Sequence, residues 1–81
     1  MNLLEVIEKS NGGKFHRRSE PNWTYRVETC RRNHSGAIFE YEELYFEERH
    51  GNSLINKGFG SLTLPRIMAD DWELIDEKVV G

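Results

Sequence analysis

The sequence predicts an α+β fold, with one N-terminal helix packed on a mainly antiparallel sheet of four or five strands. Three observations carry that expectation. Asn2 to Ser10 holds a capped helical pattern that Asn11-Gly12-Gly13 ends. Trp23 to Cys30 alternates between two sides in the manner of a strand. Leu62 to Ile75 closes the chain with a helical-turn signal running straight into a short strand pattern at Trp72.

In the first element Asn2 suits the N-cap, and Glu5 stands three residues on in capping-box position. Leu3, Leu4, Val6 and Ile7 form the apolar stripe, while Glu5, Glu8 and Lys9 face water. Glycine takes the left-handed cap cheaply, so the helix stops at Gly12-Gly13. Lys14 to Arg18 reads as a short strand, and Ser19-Glu20-Pro21-Asn22 breaks it, because proline disfavours continuation. In Trp23–Cys30 the alternation sets Trp23, Tyr25 and Val27 against Thr24, Arg26 and Glu28.

Arg31 to Gly36 is expected to be a hairpin connection, with Asn33 and Gly36 tolerating positive φ. Ala37 to Glu48 fits two patterns. As a strand it puts Phe39, Tyr41 and Tyr45 on one side and Ile38, Leu44 and Phe46 on the other; as a helix it gathers Ile38, Tyr41 and Tyr45. The β-branched and aromatic content and the preceding hairpin favour the strand, with a bulge or break near Glu42-Glu43. His50 to Ser53 is a turn, Leu54 to Gly60 shows little periodicity, and Gly58-Phe59-Gly60 reads as a mobile loop around one aromatic. In the closing segment Thr63 can cap and Pro65 suits a first helical turn. Ile67-Met68-Ala69 supplies one apolar turn, and Asp70-Asp71 can hold the junction by accepting backbone N–H groups. Trp72 to Ile75 then alternates as a strand, and Asp76 to Gly81 is expected to be a frayed tail.

A chain of 81 residues makes a single domain, 1–81, near the lower limit for an adequate core. With 37% of its residues hydrophobic and 31% charged, that core is thin, and a homo-oligomer is expected to complete it. The net charge of −3 argues against general nucleic-acid binding. Charge is nonetheless segregated. Lys14 to His34 carries six basic and two acidic residues, whereas Ser35 to His50 carries five Glu against Arg49. That segregation suits cross-strand pairing in one sheet, or an electropositive pocket for a phosphate-bearing ligand. Cys30 stands alone, which excludes an internal disulfide and fits a reducing compartment, so a cytoplasmic protein is expected. No apolar run is long enough for a membrane span, and Met1 to Ser10 lacks a secretory pattern.

Chemistry-bearing motifs are few. Cys30 and His34, with His16 and His50 scattered, do not make a metal-ligand set, so no metal and no other cofactor is expected. No nucleophile motif or glycine-rich phosphate loop occurs, and adjacent Asp70 and Asp71 point to opposite faces of a strand. A non-enzymatic binding surface remains. Trp23, Tyr25, Phe59 and Trp72 can stack on a planar ring, and Arg17, Arg18 and Arg26 can meet phosphates, although burial in the core is the competing role for both Trp.

A short helix ending in Gly-Lys, a basic strand, a Trp, a hairpin and an Ala-x-Asp-Trp-Glu ending succeed one another here. That order resembles small phage proteins of the Thoeris anti-defence type, which act as sponges for cyclic nucleotide immune signals. Leu4, Ile7, Gly13, Lys14, Arg17 or Arg18, Trp23 and Ala69-Asp70-Asp71-Trp72-Glu73-Leu74 carry the likeness. It spans about a third of the chain and leaves Gly36 to Gly60 outside it. The resemblance implies an oligomeric protein of the host-cell cytoplasm that sequesters a small nucleotide. With the residue-level reading, the candidate ligand set is Arg17, Arg18, Trp23, Tyr25, Arg26, Phe59, Asp71 and Trp72. The alternative is an inhibitor of a host protein, working through an acidic and aromatic face from Glu40 to Glu48.

Overall fold

The computed structural model describes residues 1–60 and 62–75, so the expected tail at 76–81 lies outside the described residues. Helix α1 spans Leu3–Ser10. Asn2 Oδ1 accepts the N–H of Glu5 at 2.9 Å, as the capping pattern requires. At the other end Asn11, rather than a glycine, takes the left-handed cap at φ 47°, and Gly12 follows at φ 84°. Val6 is fully buried and Leu3 and Ile7 pack beside it, but Leu4 is 79% exposed. Each residue turns about 100° around the helix axis, which carries Leu4 off the stripe that its neighbours share.

Five strands follow: β1 (Phe15–Arg17), β2 (Glu20–His34), β3 (Ala37–His50), β4 (Ser53–Phe59) and β5 (Trp72–Leu74), with a short helix α2 (Leu64–Met68) before the last. They form one sheet in the order β4-β3-β2-β1-β5, with antiparallel neighbours throughout. The α+β expectation is therefore met, and Ala37–Glu48 is strand.

Several boundaries differ from the sequence reading. Pro21 does not delay β2, because the β1–β2 register shifts between His16 and Arg17 and pairing with β3 begins only at Trp23. Proline there withholds no ladder donor. Arg31 to His34 is strand rather than loop; the turn is only Ser35-Gly36, with φ of 52° and 80°. Pairing runs unbroken past Glu42-Glu43, and the irregularity sits instead between Glu48 and Arg49, against β4. Gly58-Phe59-Gly60 is not a mobile loop. Gly58 and Phe59 end strand β4, which is held against β3 up to the Tyr45–Phe59 pair.

The core is small and lies at one end of the sheet. Val6, Phe15, Tyr25 and Trp72 are its buried members. Trp72 meets Tyr25 and Phe15 edge-on, with ring centroids 5.3 and 5.9 Å away, the arrangement that aromatic quadrupoles favour. Its indole N–H donates to the Arg66 carbonyl at 3.0 Å, so the ring is satisfied as well as buried. On the β5 side, the Trp72 N–H donates to the Met1 carbonyl. β1 accompanies β2 as far as Tyr25, and β4 accompanies β3 as far as Tyr45. From Glu28 and Glu43 outward, β2 and β3 continue as a two-stranded arm without a third strand among the described residues.

Candidate functional site

The eight expected ligand residues do not converge. Trp72 is 1% exposed and Tyr25 is 3% exposed, so neither ring face is open to a ligand; both are core residues. Burial raises the Tyr25 hydroxyl above the ordinary tyrosine value.

Arg17 and Asp71 are committed to each other. Arg17 Nε donates to Asp71 Oδ1 at 2.8 Å, and Arg17 Nη1 donates to Glu20 at 2.9 Å. Asp71 Oδ2 also accepts the Ser19 hydroxyl at 2.6 Å and the Ser19 N–H at 3.1 Å, clamping the β1–β2 turn. Ser19 first, and then Arg17, hold the Asp71 carboxyl far below the usual carboxylate range. Asp71 is expected from the sequence to hold its own junction; it holds the β1–β2 turn instead.

Trp23 lies against Phe46 and carries the Arg66 guanidinium over its ring, 4.8 Å from the centroid. Arg66 also makes a two-pronged contact with Glu20, at 3.0 and 2.8 Å, and it is absent from the sequence-derived set. Arg66 first, then Arg17, lowers the Glu20 carboxyl. Arg26 donates to Glu28 at 2.7 Å and lies over the Tyr45 ring. Phe59 packs edge-on to Tyr45 and keeps 49% of its surface exposed. Arg18 reaches Glu73 at 3.3 Å from an exposed position. Two groupings result: a salt-bridged knot of Arg17, Glu20, Arg66 and Asp71 beneath Trp23, and an Arg26–Tyr45–Phe59 row on the opposite face.

A different set comes together on the arm. The Ser35-Gly36 turn opposes His34 to Ala37, and hence Arg32 to Phe39 and Cys30 to Tyr41. Opposed residues share a face of an antiparallel pair. That face therefore carries His34, Arg32, Phe39 and Tyr41, with Glu28 and Glu43 at its inner end. Arg32, His34, Phe39, Tyr41 and Glu43 line an open depression of about 440 Å³. Phe39 is 54% and Tyr41 38% exposed. Arg31, on the other face, reaches Glu40 at 3.0 Å, whereas neither the Arg32 nor the His34 side chain has an ion pair or hydrogen bond among the described residues.

This arrangement can accept a planar ring against Phe39 or Tyr41 and an anion at Arg32. The sequence reading missed it by treating Arg31–Gly36 as a loop. A two-residue turn at Ser35-Gly36 fixes the register and brings these side chains to one face. Alternation likewise divides the acidic stretch. Glu40, Glu42 and Glu48 fall on the core side, while Glu43 and Glu47 fall on the outer side, so the five do not form one acidic face.

No protein-family model matches the chain, and neither a curated protein nor a solved structure matches it. No helix among the described residues is long and apolar enough to cross a membrane.

Proposed function

We propose that this chain is a non-enzymatic binding protein that takes a small nucleotide on the outer face of the β2–β3 arm. One observation carries the reading: the Arg32 guanidinium, without an ion pair among the described residues, stands in register with the exposed ring of Phe39, beside Tyr41 and His34 around one depression. Phosphate and base need those two kinds of group a few ångströms apart. The likeness to anti-defence sponges supplies the biological setting. In that setting the ligand is a cyclic nucleotide immune signal, the protein is phage-encoded, and it works as a homo-oligomer in the host cytoplasm.

Calorimetry against cyclic dinucleotides and cyclic ADP-ribose isomers tests the reading. Binding should be abolished by Arg32→Ala and by Phe39→Ala, and left intact by Arg18→Ala, which lies off the arm. Absence of heat across the panel removes the nucleotide reading. A protein partner is the second reading, favoured by the exposure of Phe39, Tyr41 and Phe59 on one uncovered face. Host-lysate capture that is lost on Phe39→Ser and Tyr41→Ser, with no nucleotide bound, identifies that alternative.

A further inference from the structure

The arm has no covering. A two-stranded ribbon standing alone is marginal in water, yet β2 and β3 run on from Glu28 and Glu43 to the turn with nothing packed on their outer face among the described residues. Phe39 at 54% and Tyr41 at 38% exposure leave the apolar side chains of that face in solvent.

Charge along the outer face is polarised: Arg32 and His34 lie near the tip, and Glu28 and Glu43 lie at the base. A surface of that kind complements itself when two copies meet antiparallel. We infer that the outer face of the β2–β3 arm docks on the same face of a second copy, about a two-fold axis that crosses the strands between the Cys30–Tyr41 and Arg32–Phe39 rows.

The charges select this axis over its alternative. A two-fold axis parallel to the strands keeps each row at its own level and sets Glu28 and Glu43 of one copy against the same glutamates of the other. An axis across the strands inverts the rows. His34 then faces Glu28 of the second copy, Arg32 comes within reach of the second copy's glutamates, and Phe39 lies on Tyr41 from each side. Glu28 already bonds Arg26, but Glu43, Arg32 and His34 have no ion pair among the described residues and are available. The rings form the centre and the charges the rim, the usual anatomy of a specific interface.

Four rows of two strands give a footprint on the order of 400–500 Å² per copy once side chains are counted, the size of a weak, reversible dimer. The two depressions then face each other across the axis, so each copy closes the other's open side. The inference rests on the self-association proposed above; because the interface covers Arg32, Phe39 and Tyr41, this dimer and a nucleotide on the same face exclude each other.

Sedimentation equilibrium over micromolar to submillimolar protein provides the test. The wild-type chain should approach twice its 9.5 kDa mass. R32E/H34E and E28K/E43K should each weaken association at least tenfold, because position 32 then meets groups of its own sign across the interface. An equimolar mixture should recover the dimer as a heterodimer, since both contacts become complementary. Far-UV circular dichroism checks that each variant keeps its sheet; should a double variant unfold, the single variants R32E and E43K repeat the comparison. A wild-type chain that stays monomeric overturns self-association and this interface together. A dimer unaffected by the reversals overturns the interface alone, and so does a mixture that fails to recover.

Discussion

Asp71 shows how a single carboxylate can fasten two remote segments. It draws the Ser19 hydroxyl, the Ser19 N–H and Arg17 onto the end of β5, 52 and 54 residues away in sequence. Its folded-state value lies well below the ordinary 3.8. A depressed carboxylate contributes its stability in full above the ordinary value and loses it as pH falls toward the folded one. Asp71→Asn should therefore lower the urea midpoint at neutral pH, with the gap to the parent closing below about pH 4. Parallel midpoints across that acid range would show that the charge is not what the clamp uses.

Tyr25 offers the opposite case. Its hydroxyl is buried without a hydrogen-bond partner among the described residues, and a buried unpaired hydroxyl costs about 1–3 kcal/mol. Tyr25→Phe should be neutral or stabilising in thermal unfolding, and a clear loss would reveal a bond to this oxygen.

At the scale of elements, the Ser35-Gly36 turn governs the arm. Both residues have positive φ, 52° and 80°, which match the primed turns of two-residue hairpins. Serine adopts that region less readily than asparagine. Ser35→Asn should stabilise the hairpin by roughly 0.5 kcal/mol, whereas Gly36→Ala should cost about 1 kcal/mol. Hydrogen exchange on Arg31–His34 and Ala37–Glu40 reads both effects locally, away from the core. Exchange in the arm that ignores both substitutions would place its stability outside the turn.

At the scale of the whole fold, four buried residues among those described hold one end of the sheet, while the β2–β3 arm extends beyond it. Trp72 is the largest of them and also ties down α2 through its indole N–H. Removing such a ring costs about 3–5 kcal/mol, a large part of a typical total of roughly 5–15 kcal/mol. Trp72→Ala should leave the chain mostly unfolded at room temperature by circular dichroism, and Trp72→Phe should fold with a lowered melting temperature. A folded Trp72→Ala variant would mean that contacts outside this end sustain the sheet.

Local signals were enough for most of the elements. The Asn2 cap, the alternation of Trp23–Cys30 and of Ala37–Tyr45, and the Pro65-to-Trp72 sequence all act within a few residues, where propensity and periodicity have direct physical force. Loop lengths were less legible. Asn33 and Gly36 suggested a broad connection, yet pairing with β3 extended β2 to His34, because each added ladder pair satisfies backbone groups that a loop leaves to water. Leu54–Gly60 lacked periodicity for a related reason: its strand state is imposed by β3 across the ladder. The candidate site depended on those same long-range facts. Composition pointed to arginines and aromatic rings, but Trp72 and Tyr25 went to the core and Arg17 went to Asp71. Only the tertiary structure decided which cation and which rings remain free, because burial and pairing are settled between segments distant in sequence. The turn and the strand register, not the residue types, brought Arg32, His34, Phe39 and Tyr41 to one face.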